Sequence, residues 1–186
     1  MTLVEMVIYR LGLVSLAPLR VIIEEVYAVS IVGPFPSALT GPIPPQIARL
    51  KRLKTMNLRW NKLQEAIPPE IGEIPKELVN LPELRYLLLH ENHFIGRIPP
   101  DLGTLQNLRH LDVGNNHLVG TIRELIRIEV CFPALRNLYL NNNYLTGGIP
   151  AQLANLKILE ILYLSYNKMS GIIPYGLAHV PSLTNL

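Results

Sequence analysis

The sequence predicts an α/β solenoid, in which short strands stack into a parallel sheet on a concave face and irregular or short helical segments line the convex side. Three observations predict it. A 24-residue phrase recurs, as "LRYLLLHENHFIGRIPPDLGTLQN" from Leu84, "LRNLYLNNNYLTGGIPAQLANLKI" from Leu135 and "LEILYLSYNKMSGIIPYGLAHVPS" from Leu159. Within it, pairs of apolar residues sit two apart. An asparagine and a glycine then return at fixed places.

Each position has a physical reading. Leu87 and Leu89, Leu138 and Leu140, and Leu162 and Leu164 are spaced to point to one side of a strand, into a core, so their alternating partners face out. Asn61, Asn92, Asn116, Asn143 and Asn167 fall where the strand turns away, and a buried amide there has donors and an acceptor for backbone groups. Gly96, Gly120, Gly147 and Gly171 come four residues later and suit a bend with positive φ. The Ile-Pro step that follows is extended and cannot continue a helix. Further copies open at Leu53 and Leu108, and another at Leu183 breaks off at Leu186. Residues 1–25 form a divergent N-terminal segment and residues 26–186 the repeat array.

These residues resemble the plant-specific class of leucine-rich repeat, with the pattern L-x-x-L-x-x-L-x-L-x-x-N-x-L-(T/S)-G-x-I-P-x-x-L-G. "HLDVGNNHLVGTIRELIR" and "LYLNNNYLTGGIPAQLANL" are similar to stand-alone plant proteins of the class and to receptor-like kinase ectodomains without the kinase. The resemblance implies a right-handed solenoid that recognises a protein or peptide ligand, a co-receptor or a cell-wall hydrolase. It also implies a place outside the cell or at the plasma membrane, in signalling or defence. A polygalacturonase-inhibitor-like protein, or a truncated product without activity, is the alternative. The class carries a cysteine pair in its N-terminal cap, whereas this chain has no cysteine before Cys131.

The apolar residue before each proline step serves as a ruler: Phe35, Ile43, Ile67, Ile74, Ile98, Ile122, Ile149 and Ile173. Two steps are far short of the period, at seams near residues 33–45 and 65–84. The second is "IPPEIGEIPKEL", which repeats its Ile-Pro phrase with no strand between the copies. Loss of the intervening strands, through a shortened transcript or a faulty gene assembly, explains both better than duplication does. The seams place strands 32 residues apart from Val26 to Leu58 and 31 apart from Leu58 to Leu89. Loop-closure entropy rises slowly enough to tolerate that. The step from Ile122 to Ile149 is three residues longer than the period, where Ile122-Arg123 replaces Ile-Pro and admits a longer helical back segment.

Stacking the units aligns the outward residues into columns. Asn57, Leu88, Asp112, Tyr139 and Tyr163 share the central one; Thr55, Tyr86, His110, Asn137 and Ile161 lie before it. Arg59, His90, Gly114, Asn141 and Ser165 come two residues after it, flanked by Trp60, Glu91, Asn115, Asn142 and Tyr166. Ligand binding is expected on Trp60, Tyr86, Leu88, His90, Glu91, His110, Asp112, Asn137, Tyr139, Tyr163 and Tyr166, because rigid aromatic side chains among polar ones anchor binding surfaces. The plain alternative is that Tyr and Asn merely tolerate an exposed strand. The regular array from Leu84 onward is expected to carry binding, with Trp60 across the seam contributing less.

Other chemistries find little support. The chain of 186 residues is 49% hydrophobic and 17% charged, with a net charge of +3 and a pI near 9.1. That favours a cored protein over a disordered one. The Lys51-Arg52-x-Lys54 cluster is too short for a nucleic-acid surface and reads as a solvated face. Cys131 is the only cysteine, so no disulfide or cysteine-rich zinc site forms within the chain, and no base is positioned to make it a nucleophile. No cofactor is expected. "HENH", His90–His93, lacks the i,i+4 histidine pair of a zinc protease, and His93 and His117 offer too few ligands for a metal. No Asn-x-Ser/Thr acceptor occurs, which argues against heavy secretory processing. The apolar run Leu11–Leu19 is too short to span a membrane, and with Glu5, Arg10, Pro18 and Arg20 around it makes a poor signal peptide.

Overall fold

A computed structural model describes residues 27–30, 40–43, 45–63, 74–126 and 131–186. The N-terminal segment 1–25 lies outside the described residues, as do parts of both seams. Ten short strands occur among the described residues: β1 (Ala28–Ser30), β2 (Thr40–Gly41), β3 (Thr55–Asn57), β4 (Lys62–Leu63), β5 (Tyr86–Leu88), β6 (His110–Asp112), β7 (Asn137–Tyr139), β8 (Thr146–Gly147), β9 (Ile161–Tyr163) and β10 (Lys168–Met169). The concave sheet is parallel throughout, in the order β1-β3-β5-β6-β7-β9. Smaller parallel pairs join β2 to β4 and β8 to β10. An isolated bridge from Ile161 to Asn185 starts one more rung.

The alternation read from the sequence sets this sheet. Val29, Met56, Leu87, Leu111, Leu138 and Leu162 form one inward row, none more than 2% exposed. Burying a side chain of that size contributes about 1.5–3 kcal/mol. Further along the unit, on the convex side, a proline carbonyl opens the turn. The N–H groups of Leu78, Leu102, Leu153 and Leu177 donate to the carbonyls of Pro75, Pro99, Pro150 and Pro174. The resulting 3-10 segments, Lys76–Asn80, Pro100–Thr104, Ala151–Asn155 and Tyr175–His179, each seat that leucine in the core. Where Arg123 replaces the proline, a short α-helix forms instead, α1 (Ile122–Leu125), with a reciprocal Thr121–Glu124 capping box.

The asparagine column is buried from Asn61 to Asn143 and half-buried at Asn167, and its bonds cross between units. Nδ2 of Asn116 donates to the carbonyls of Val113 and Gly114 in its own unit and Leu89 in the previous one, while its Oδ1 accepts from the N–H of Phe94. Asn92, Asn143 and Asn167 repeat this with Leu58, Val113 and Leu140 as the earlier carbonyls and Leu63, Leu118 and Leu145 as the earlier amides. Each glycine four residues on has positive φ, from 72° at Gly96 to 97° at Gly120.

At the seams the register both supports and corrects the sequence reading. Thr55 pairs with Tyr86, so β3 and β5 are direct neighbours at the expected 31-residue spacing. The 32-residue spacing from Val26 to Leu58 is wrong: Ala28 pairs with Thr55, and Val29 with Met56. The register from Val26 would set Glu24 against Met56, whereas the observed one buries the apolar Val29 between exposed Ala28 and Ser30. Of each doubled proline phrase, the second copy is seated: Ile43 and Ile74 are both 1% exposed in the core. Phe35 and Ile67 lie outside the described residues.

The asparagine ladder makes a graded prediction. Replacing Asn116 with Ala leaves the Phe94 amide without its partner and takes one of the hydrogen bonds from each of the Leu89, Val113 and Gly114 carbonyls, and should cost about 1–3 kcal/mol. The half-buried Asn167 should cost less when changed the same way. Urea unfolding of the two variants checks this, and equal or negligible losses would refute it.

Candidate functional site

The parallel register brings the outward residues into the expected columns. Tyr86 lies opposite His110 and then Asn137, and Leu88 opposite Asp112 and then Tyr139. Neighbours in a column are about 4.8 Å apart, which suits ring contacts. His110 packs between two tyrosines, its ring 6.3 Å from Tyr86 and stacked 5.1 Å from Tyr139. Tyr139 meets Tyr163 edge to face at 5.1 Å. The result is a run of four rings across four adjacent strands.

A polar cluster adjoins it. His90 Nδ1 lies 2.7 Å from Asp112 Oδ2, and the second carboxylate oxygen accepts from the Gly114 N–H at 3.2 Å. Asp112 is consequently 8% exposed, although its position faces outward, because the imidazole covers it. A buried carboxylate is tolerable with those two partners. Trp60 stands edge to face on His90 at 5.4 Å, so the seam does not separate it from the regular array. Arg59 Nε donates to Asn57 Oδ1 beside it.

Trp60, Glu91, Asn115, Asn142 and Tyr166 all adopt left-handed backbone conformations, with φ between 51° and 59°. Asparagine suits that region, and bulky side chains rarely enter it. Two of the expected aromatic site residues therefore stand at strained turns, Trp60 47% and Tyr166 80% exposed. Leu88 and Glu91 are half-buried among their neighbours, and Asn137 hydrogen-bonds to His110.

Ionisation follows the packing. Burial holds His110 below the ordinary imidazole range, opposed by the nearby Asp112 and reinforced by Arg59. Burial also pushes the Tyr139 phenol up, with Tyr163 and Asp112 adding to the effect. Cys131, buried beside Phe132, has its thiol raised by burial and is set up as a packing residue. Among the described residues, no three His, Cys, Asp or Glu side chains gather to hold a metal.

The sequence columns overlooked two rows. His93 and His117 do stack, at 5.8 Å, and the row continues through Tyr144 to the Lys168 ammonium 4.8 Å from the Tyr144 ring. All four residues follow a column asparagine, and that shared position was the signal for the longer row. The second is a row of cations just before the strands: Lys54, Arg85, Arg109 and Arg136.

Residues 133–186 match the family described as Leucine rich repeat, and residues 52–78, 83–105 and 107–127 match Leucine Rich Repeat. A search of curated proteins gave no match. Among solved structures, the Arabidopsis receptor kinase HAESA, in complex with the peptide hormone IDA and the co-receptor SERK1, is 35% identical. Its TM-score is 0.70, with 80% of this chain and 23% of that one covered. PEPR1 with AtPEP1 is 34% identical with a TM-score of 0.76, covering 88% of this chain and 21% of that one. The ectodomain of the receptor kinase SOBIR1 from Arabidopsis thaliana is 32% identical with a TM-score of 0.62, covering 74% and 69%. The chain thus spans less than a quarter of the first two proteins and about two thirds of the third. Among the described residues, no helix is long and apolar enough to cross a membrane. With its repeats matched in sequence and its sheet and 3-10 turns matched in space, the chain belongs to the leucine-rich-repeat family and resembles the ectodomains of plant receptor kinases.

Proposed function

We propose that this chain is a non-catalytic recognition module that binds a peptide or protein along its concave face, acting in plant signalling or defence outside the cell or at the plasma membrane. The observation that carries this reading is the ring run Tyr86-His110-Tyr139-Tyr163. Each ring is held by its neighbours, so a ligand meets an apolar surface whose side-chain entropy is already reduced. The Tyr139 hydroxyl stays protonated and can donate to a ligand carbonyl. The complexes of HAESA with IDA and of PEPR1 with AtPEP1 support a peptide as the ligand class.

Changing Tyr139 and Tyr163 together to Ala should weaken capture of peptides selected from a displayed library by roughly thirtyfold or more. The far-UV spectrum should stay unchanged. Undiminished capture by the folded variant would show that this patch is not the site.

His110 gives a pH check. Its folded-state pKa lies below the unfolded value of about 6.5, so the unfolded chain takes up the proton more readily. The stability tied to neutral His110 is therefore complete above the unfolded value and is lost as pH falls through the folded one. Urea midpoints between pH 7.5 and 5 should drop less for His110→Gln than for the wild type. Parallel curves would refute the assignment.

Tyr166 tests whether strain is kept for binding. Replacing this exposed residue with Asn should stabilise the fold by about 0.5–1 kcal/mol through relief of its left-handed backbone. The same change should weaken peptide capture, and a variant both less stable and fully competent would contradict the idea.

A further inference from the structure

A row of cations lies at the N-terminal edge of the concave sheet, one residue before β3, β5, β6 and β7. The N–H groups of Arg85, Arg109 and Arg136 each donate at 2.8 Å to the carbonyl of the row member before, Lys54, Arg85 and Arg109 respectively. Four positive side chains therefore leave consecutive rungs of one ladder. At about 4.8 Å per rung, the row spans about 14 Å. Its two ends are neutralised: Lys54 pairs with Glu83 at 3.7 Å, and Arg136 pairs with Glu160, which occupies the next rung. No carboxylate among the described residues pairs with the two central members, Arg85 and Arg109. Like charges on adjacent rungs repel one another, so this arrangement costs stability unless an outside anion answers it.

The row also lies in one strand register with the rings. Arg85 precedes Tyr86, Arg109 precedes His110 and Arg136 precedes Asn137. The Glu160 that ends the row precedes Ile161 on β9, the strand that carries Tyr163. Positive charge is therefore concentrated at β5 and β6, and the apolar rings continue past it to β9. We infer that Arg85 and Arg109 form a seat for the carboxylates of an acidic peptide segment, whose apolar remainder lies over Tyr139 and Tyr163. This inference rests on the peptide-binding reading above and names the chemistry of its ligand. A peptide fits better than a uniformly charged polysaccharide. The charge is confined to one end of the face, and the stacked His110 and Tyr139 rings cover each other's faces instead of presenting them to a sugar. Arg fits the role because its planar fork answers a carboxylate with two hydrogen bonds.

The test uses fluorescent twelve-residue peptides with four Asp or Glu residues at one end and Leu, Phe and Pro at the other. Controls are the same peptides with Asn and Gln in place of the acids, and a linear polyuronate oligomer. Anisotropy titrations should show the acidic peptide binding more tightly than its amide counterpart. The preference should shrink as salt rises from 50 to 300 mM, because surface charges are screened. The Arg85→Gln/Arg109→Gln double variant should bind the acidic peptide roughly five- to tenfold more weakly and the amide peptide unchanged. Its thermal midpoint should hold or rise, which separates lost contact from lost fold. Equal binding of the two peptides, or equal binding by the double variant, would overturn the seat. Preference for the polyuronate with no peptide binding would overturn it in favour of a glycan. The Tyr139→Ala/Tyr163→Ala variant separates the two proposals: if it binds the acidic peptide like wild type while the arginine variant does not, the ring reading fails and the seat stands.

Discussion

A single type of side chain, the buried asparagine, holds the other features in place. Every strand in this sheet must end and turn away within a few residues, and a turn leaves backbone amides and carbonyls facing an apolar core. Asn92, Asn116 and Asn143 resolve that problem by answering groups in two successive units at once. Since an unpaired buried backbone group costs about as much as several apolar contacts return, the turn and the stacking form together. Stability in such an array passes from neighbour to neighbour. The leucine row supplies most of the favourable free energy, and the asparagines decide which register collects it.

That register is also what orders the concave face. Side chains that would be scattered on an irregular surface are brought about 4.8 Å from their counterparts in the next unit, close enough for rings to touch. The cost of ordering them is met by the fold, ahead of any ligand. The left-handed turn beside the face adds a second constraint. Asn115 and Asn142 adopt it at little cost, whereas Trp60 and Tyr166 occupy the same turn under strain. Large rings thus stand at both ends of a column where asparagine would be cheaper, and the proposed role in binding is what gives that cost a reason.

The fold was legible because its rules are local and repeated. Period-two leucines, the asparagine and the glycine each specify a backbone state that a single unit reveals, and their return shows that the units stack. Columns on the concave face followed by simple superposition. What the sequence left open depended on geometry between units. The burial of Asp112 under His90 needed the rotamers of two strands. The first register departs from the sequence expectation because the units before residue 53 lack a clear leucine pair to anchor the alignment. Only the inward row decides between them. The cation row is not legible in the sequence for a different reason: each arginine reads as an ordinary surface residue, and the row exists only through the rung above and the rung below.

The stuttered proline phrases show how much irregularity this design absorbs. Between Thr55 and Tyr86 the chain travels seven residues further than between Tyr86 and His110, yet both steps end one rung along the same sheet. The concave face responds to hydrogen-bond register, and the length of the return path is set on the other side. A seam is therefore nearly silent on the concave face: Trp60 still meets His90, and Arg85 still hangs its amide on the Lys54 carbonyl. Insertion or loss within the convex segments can alter the sequence spacing freely, provided an Ile-Pro step and its leucine remain to reseat the core, as Ile74 and Leu78 do. Variation on the two sides of the solenoid is thus decoupled, and the concave face can be kept while the back is rewritten.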